Sequence, residues 1–304
     1  MLDNYYNSAN SFFKEKFGTK IIKIPIDGGF TCPNRDGTLS SRGCIFCNEK
    51  GSGSIFLNRN YGIEEQFEYA KTILNKKWKS GKYMIYFQSF TNTYGDIEYL
   101  KDLFNRAILL PEVVAISIAT RPDCLDNKIV EFLGELNKKV YVCVELGFQT
   151  SKRESIELIN RCYENNVFEE AVQRLNNYNI DVICHVIFGL PNETKEDMLN
   201  TIRYITSFNI SGIKLQLLHI IKNTDLHKLY INKPFNVLSL DEYVNIIVSA
   251  IEILPPNIII HRITGDGDRE SLVEPRWSLN KKKVLNSINQ ELKKQESYQS
   301  KYYK

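Results

Sequence analysis

Phe30-Thr-Cys-Pro-Asn-Arg-Asp-Gly-Thr38, followed by Arg42-Gly-Cys-Ile-Phe-Cys-Asn48, carries Cys32, Cys44 and Cys47. Eleven residues separate the first two cysteines and two separate the last pair. Thiolate is the usual protein ligand of iron–sulfur iron, so three cysteines can hold three irons of a cubane and leave one open to substrate or cofactor. A structural zinc site is the competing reading. It needs four ligands, usually from a second close pair. No second Cys-x-x-Cys is present. Cys124, Cys143, Cys162 and Cys184 stand alone, and His185, His219, His227 and His261 are distant from the triad in sequence. Spacing therefore favours a cluster, although a distant residue could complete a zinc site.

Working outward, the triad follows a short β-branched run at 20–26 that reads as a strand. Similar runs lie at 83–88, 113–119, 140–146, 181–188 and 212–219. Between them are amphipathic segments at 63–78, 97–109, 126–136, 152–159, 168–178 and 195–208. In the last of these, Met198, Ile202 and Ile205 recur at helical spacing. Six strands alternating with helices predict an α/β fold with a parallel sheet. Right-handed crossovers curl such a sheet into a TIM-like partial (β/α)6 barrel. Its functional residues belong at the C-terminal strand ends. A helix at 241–254, closed by Pro255-Pro256, precedes a last strand at 257–262 and a helix at 278–294 striped with Val284, Leu285, Ile288 and Leu292. The expected organisation is an N-terminal segment at 1–19, the barrel at 20–255, and an extension at 256–304 covering it.

Length and composition agree with one large domain. The chain has 304 residues, 43% of them hydrophobic, which is enough for a full core. No apolar run is long enough to span a bilayer. The N-terminus lacks the basic-then-apolar pattern of a secretory signal. Seven cysteines with one close pair then favour reduced thiols or metal ligands in a cytoplasm over a disulfide framework. A net charge of +3 does not demonstrate nucleic-acid binding. Lysines cluster at Lys76, Lys77 and Lys79, at Lys281, Lys282 and Lys283, and at Lys293 and Lys294. Such clusters are more often solvated helix faces than phosphate contacts.

The strand ends carry the remaining chemistry. Tyr86-Phe-Gln-Ser-Phe-Thr-Asn-Thr-Tyr94 offers Gln88, Ser89 and Thr91, which also suit a turn. In Ile118-Ala-Thr-Arg-Pro-Asp-Cys124 the planar fork of Arg121 could meet a carboxylate or phosphate, or pair with a neighbouring loop. In Val144-Glu-Leu-Gly-Phe-Gln-Thr150, Glu145 sits on an apolar strand and needs a partner. Leu158-Ile-Asn-Arg161 lies one helix further. Cys184-His-Val-Ile-Phe-Gly-Leu-Pro191 holds His185, and a lone strand histidine is more often a satisfied core residue than a catalyst. On Ile213-Lys-Leu-Gln-Leu-Leu-His219, period two puts Lys214, Gln216 and Leu218 on one face and His219 on the other. Lys214 inside a barrel is costly unless it touches an anion or acid, and a salt bridge to Glu145 would serve. His261-Arg-Ile-Thr-Gly-Asp-Gly-Asp-Arg269 reads as a polar loop over the barrel mouth, from which Asp266 and Arg269 could reach a substrate, or as a surface turn.

A cysteine triad on the loop after the first strand of a six-strand parallel barrel resembles the radical S-adenosylmethionine (SAM) superfamily. The resemblance implies a [4Fe–4S] cluster on Cys32, Cys44 and Cys47 whose open iron chelates the methionine moiety of SAM. Reductive cleavage would then release a 5′-deoxyadenosyl radical that abstracts hydrogen from a substrate. The commonest superfamily spacing is Cys-x3-Cys-x2-Cys. The long first gap here departs from it and is similar to a subset that includes the catalytic subunit of Elongator. The resemblance further implies that Phe46 lies against the adenine and that the Gly189 turn brings backbone to it. Gln88, Ser89 and Thr91 would replace a Gly-Gly-Glu stretch, absent here, that binds the methionine amino group. Gln149 would contact the ribose and Arg161 a carboxylate. Glu145 would contact SAM or orient Arg161 or Lys214. His185 stands where Elongator-like sequences have His and the coproporphyrinogen oxidase pattern has Asp, which implies a site role. Arg121 and Lys214 are the substrate candidates.

Phe30–Thr38, Thr91-Asn-Thr-Tyr94 and Thr120-Arg-Pro-Asp-Cys124 are similar to one group of radical SAM proteins, the YtqA/YhcC-like or MnmL-like group. The group in turn resembles the radical SAM part of Elongator's catalytic subunit, which modifies the wobble uridine of tRNA. This implies tRNA as partner, a reductant such as flavodoxin or ferredoxin, and no membrane. The stretch after Pro256 is expected to be too short for an acetyltransferase domain, so acetyl-CoA chemistry is not expected. The expected reaction converts a carboxymethylaminomethyl group at C5 of that uridine to aminomethyl, with Arg121 or Lys214 holding the arm's carboxylate. Two other classes stay open: a radical SAM enzyme on a small, tetrapyrrole-like molecule, and a non-catalytic metal-binding module.

Overall fold

The computed structural model describes residues 5–49, 51, 61–78 and 80–303; Lys79 of the first lysine cluster lies outside them. The strands are β1 (Ile21–Ile26), β2 (Lys82–Phe87), β3 (Val113–Thr120), β4 (Tyr141–Gln149), β5 (Asp181–Phe188), β6 (Gly212–Leu217), β7 (Ile220–Ile221), β8 (Ile259–Arg262) and β9 (Leu272–Glu274). One sheet runs β1-β2-β3-β4-β5-β6-β8, every pair parallel. The curled α/β half-barrel therefore has seven strands. The run at 257–262, expected in the extension, pairs with β6 and completes the sheet.

Alternation along each strand builds two faces. Ile22, Ile24, Ile26, Ile85, Phe87, Val142, Val144, Val186 and Leu215 point outward into one core with the helices. These helices are α2 (Ile63–Asn75), α3 (Ile97–Ile108), α4 (Asn127–Asn137), α6 (Asn165–Asn176), α7 (Lys195–Thr206) and α9 (Leu240–Ile253); the short α5 (Arg153–Leu158) precedes α6. Each fully buried Phe or Ile on this face contributes roughly 1.5–3 kcal/mol. The opposite parity faces the barrel axis in layers. Near the N-terminal strand ends, Met84, Ala115, Cys143 and Ile183 pack with Phe13 of α1 (Ala9–Phe17) and plug the barrel. The next layer is polar, and above it the C-terminal strand ends open into a cavity.

Several small elements were not visible in the sequence pattern. Helix α1 is short, with an oxygen cap from Ser8 to the Ser11 amide and Gly18 in the left-handed region at φ 68°. Its large apolar residues are phenylalanines at 12, 13 and 17, too few to read as a stripe. Ser8 forms a parallel bridge with Ile260, and the Ile260 amide donates to Asn7 at 2.8 Å, so the N-terminal segment covers the β8 edge. Strands β7 and β9 pair antiparallel beside α8 (Asp225–Asn232). Val284, Ile288 and Leu292 of α10 (Lys281–Lys294) are buried, while Lys281, Lys282, Lys283, Lys293 and Lys294 face outward.

Candidate active site

Cys32, Cys44 and Cys47 line one cavity of about 400 Å³ at the C-terminal strand ends. Their loop is held by turns and by a clamp. The Arg35 amide donates to Cys32 O at 2.8 Å and the Cys47 amide to Cys44 O at 2.9 Å. Asn160, held at φ 55° after α5, donates through its amide to Gly43 O at 2.8 Å and Ser40 Oγ at 3.1 Å. Asn34 returns a bond to Asn160 O at 2.6 Å and reaches Cys44 Sγ at 3.5 Å. Arg35 Nη1 lies 3.8 Å from Cys47 Sγ. Burial, with Cys47 beside it, pushes the Cys44 thiol up to about 12, and burial raises Cys47 as well. Ionised sulfurs at these positions therefore need bound cations. Among the described residues no set of three or more His, Cys, Asp or Glu forms a centre for a single metal ion. A cubane asks for a wider spread, because each thiolate takes a different iron.

Below the cavity, the polar layer converges on Glu145, which is fully buried. Its Oε1 accepts from Ser117 Oγ at 2.7 Å and Lys23 Nζ at 3.2 Å. Its Oε2 accepts from His185 Nε2 at 2.7 Å and, in close contact, from Lys214 Nζ. Lys214 also donates to Tyr86 Oη at 3.1 Å. Burial alone would raise the Glu145 carboxyl, but Lys214 and Lys23 outweigh it and hold it well below the ordinary range. Burial, then the Lys214 charge, brings His185 down to about 4, so its ring is neutral near pH 7. With Nε2–H donating to Glu145, Nδ1 accepts from Gln216 Nε2 at 3.3 Å. Burial, helped by Lys23 and Arg262, draws Lys214 down to about 7 against the pull of Glu145.

The structure gathers most of the residues singled out from sequence. Phe46, Gln88, Thr91, Arg121, Glu145, Gln149, Arg161 and His185 all line the triad's cavity. Gln149 adopts φ 73°, and its buried Oε1 has no hydrogen-bond partner among the described residues. Arg121 is already engaged: its fork meets Asp123 at 2.9 and 2.7 Å, and Nη2 also donates to Arg161 O. Burial opposes its charge, but the Asp123 carboxylate keeps the guanidinium protonated. Arg161 is buried, and all five of its N–H groups go to Tyr163 O twice, Phe148 O, Thr150 O and Asn165 Oδ1. It reaches the cavity wall with every donor already taken, as a strut beside the triad clamp.

Other candidates sit elsewhere. Ser89 is buried and Gly189 lies under Leu238, with its amide 3.2 Å from Met198 Sδ; neither is on the cavity wall. Lys214 is buried against Glu145 and is not on the cavity wall. His219 faces the cavity, contrary to the alternation, because β6 ends at Leu217 and period two ends with it. Asp266 reaches the wall and Arg269 does not. Lys23, Tyr86, Ser117, Asn34 and Arg262 were not anticipated, and Asn160 was read only as part of an Asn-Arg element contacting SAM. A lysine within Ile21-Ile-Lys-Ile-Pro-Ile26 is a readable signal for Lys23, since it takes the parity opposite to the buried isoleucines. No pattern in the sequence marks Arg262.

The model of the radical SAM superfamily matches residues 37–205, and that of the Radical_SAM C-terminal domain matches 210–294. The uncharacterized protein YtqA of Bacillus subtilis is 44% identical over 98% of this chain and 92% of its own length. The tRNA uridine(34) acetyltransferase of Methanocaldococcus jannaschii is 27% identical over 50% of this chain and 28% of its own. In structure, the archaeal Elp3 of Methanocaldococcus infernus superposes with a TM-score of 0.69 at 18% identity, over 92% of this chain and 64% of that one. The family uses a [4Fe–4S] cluster and SAM; Cys32, Cys44 and Cys47 share one cavity with Gln149 and are thiols that could hold such a cluster. A triad on the loop after β1, a half-barrel opening above it, and matched models over most of the length make this chain a member of the radical SAM superfamily.

Proposed function

We propose that this radical SAM enzyme acts on the C5 side chain of the wobble uridine of tRNA, converting a carboxymethylaminomethyl group to aminomethyl. One observation carries the reading. The floor of the triad cavity is a network in which a single carboxylate, Glu145, is surrounded by Lys214, Lys23 and the neutral ring of His185. A carboxymethylaminomethyl arm is itself an amine next to a carboxylate, so acid and base partners of both signs suit it. The tRNA part is supported by likeness, over half the chain, to a tRNA uridine(34) acetyltransferase.

Cys32, Cys44 and Cys47 would hold the cluster, with Phe46, Gln88, Thr91 and Gln149 about SAM. What the bound pair would supply is a 5′-deoxyadenosyl radical able to take a hydrogen atom from the arm's carboxymethyl carbon; with the second electron returned to the cluster, water would cleave the C–N bond and release the two carbons as glyoxylate, SAM being the net oxidant. The chain's own residues position the reactants. His185, fixed between Glu145 and Gln216, presents a neutral imidazole, and Lys214 behind the wall helps to hold the Glu145 carboxylate ionised. A cytoplasmic setting with flavodoxin or ferredoxin as reductant completes the reading, and no described helix is long and apolar enough to cross a membrane.

The test is anaerobic reconstitution with iron, sulfide, SAM and dithionite, on tRNA from a strain lacking the gene. Nucleoside analysis should show carboxymethylaminomethyl-uridine falling and aminomethyl-uridine rising, with 5′-deoxyadenosine formed. Unchanged nucleosides alongside SAM cleavage would overturn the tRNA reading and point to a small-molecule substrate.

A further inference from the structure

Arg262 faces the cavity because of a defect in the sheet. Ile213 pairs with Ile260, but Lys214 pairs with Arg262, so a bulge sets two residues of β8 against one of β6. Ile258 and Ile260 point outward into the helix-facing core. His261 points inward, where its ring meets Phe13 at 5.8 Å and lies against Gly212. Regular alternation would turn Arg262 outward again. The bulge instead brings it round to the cavity wall. Re-aiming a side chain beside a site is a common use of a bulge.

The guanidinium that arrives there is poorly neutralised. Its ion pair with Asp266 is long, at 3.6 Å, and Asp266 is held at 2.6 Å by Lys281. Arg121 is closed on Asp123 and Lys214 on Glu145, so the two cations expected to hold the arm's carboxylate are both matched. Arg262 keeps 37% of its side chain exposed. In the same wall, the buried Nε2 of His219 has no hydrogen-bond partner among the described residues. Gly265 holds the covering loop against that ring, since a Cβ there would lie 3.0 Å from His219 Cε1. A forked cation and an unmatched imidazole nitrogen together fit a planar anion.

We propose that Arg262 is the specificity-determining residue that binds the carboxylate of the substrate's arm, with His219 Nε2 as second partner of the same group. The assignment rests on the reaction proposed above. It predicts that the enzyme distinguishes an arm with a carboxylate from the same arm without one.

The experiment uses the full chain, reconstituted and loaded with SAM. It measures binding of two anticodon stem-loop RNAs whose wobble uridine carries carboxymethylaminomethyl or aminomethyl. Wild type should prefer the first by roughly tenfold to a hundredfold, the worth of hydrogen bonds to a charged group. Arg262→Gln should erase the preference, and Arg262→Lys should keep part of it. A purely structural role would weaken both RNAs alike and leave the ratio intact. Equal binding by wild type, or an unchanged ratio in Arg262→Gln, would overturn the assignment. Preference through Arg262 without conversion of the nucleoside would instead sink the reaction and leave the carboxylate site standing.

Discussion

Lys214 on β6 and Glu145 on β4 close an ion pair across β5 at the centre of the barrel, and His185 on β5 shares the same carboxylate oxygen. The pair lies directly beneath the cysteine-lined cavity, so one network governs both the stability of the barrel interior and the charge facing a substrate.

Glu145→Gln leaves Lys214 and Lys23 without their counter-ion in a buried layer. Removing one partner of such a pair costs about 3–5 kcal/mol. Urea unfolding of the variant should show that loss, with part of it recovered in Glu145→Gln combined with Lys214→Met. A loss below about 1 kcal/mol would mean that water reaches this layer.

Acid should weaken the fold in two stages. His185 and His219, each brought down to about 4 chiefly by burial, are neutral in the folded chain, whereas unfolded histidine takes up a proton near 6.5. The unfolded state then binds more protons between those values, so stability falls as pH drops from 6.5 to about 4. Below the ordinary carboxylate range, protonation of Glu145 removes what its ion pairs contribute. Thermal melts should show this slope, and His185→Gln should flatten it by about 1–3 kcal/mol. A slope unaffected by that variant would show that His185 does not carry the difference.

Arg161→Lys tests strut against ligand contact. Five donors become three and the fork is lost, so the Tyr163 and Phe148 carbonyls lose partners. We expect a loss of about 2–4 kcal/mol and lower iron content, because Asn160 next to it clamps the triad loop. A direct contact to SAM would appear otherwise, as a raised KM for SAM with stability intact.

Cys32→Ala should lose most bound iron and all 5′-deoxyadenosine formation. Cys124, which lines a separate groove with Thr38 and Tyr94, should tolerate the same change with iron content kept. Equal iron loss in both variants would make Cys124 part of the metal centre.

Gln149→Ala removes the unpartnered Oε1 from the wall. The KM for SAM should rise roughly tenfold with kcat little altered, as for a lost uniform contact. An unchanged KM would assign that oxygen to the substrate or to water.

Much of this protein was legible without coordinates. Parity and period are local properties, so Ile22, Ile24 and Ile26, or Met198, Ile202 and Ile205, reveal a strand and a helix by themselves. Cys-x-x-Cys is likewise local, and its distance from Cys32 already distinguished a subset of one superfamily. The pairing of Lys214 with Glu145 was legible only as the alternative to a substrate or SAM contact, because a buried charge must find its opposite, wherever the chain has put it. What no local rule could reach was the state of each charge after folding. Arg161 is spent on carbonyls supplied by two turns, Arg121 on Asp123, and Arg262 is turned inward by one extra residue in β8. A register shift belongs to two strands at once and a satisfied donor belongs to its acceptor, so only the assembled barrel decided which of its cations still faces the cavity.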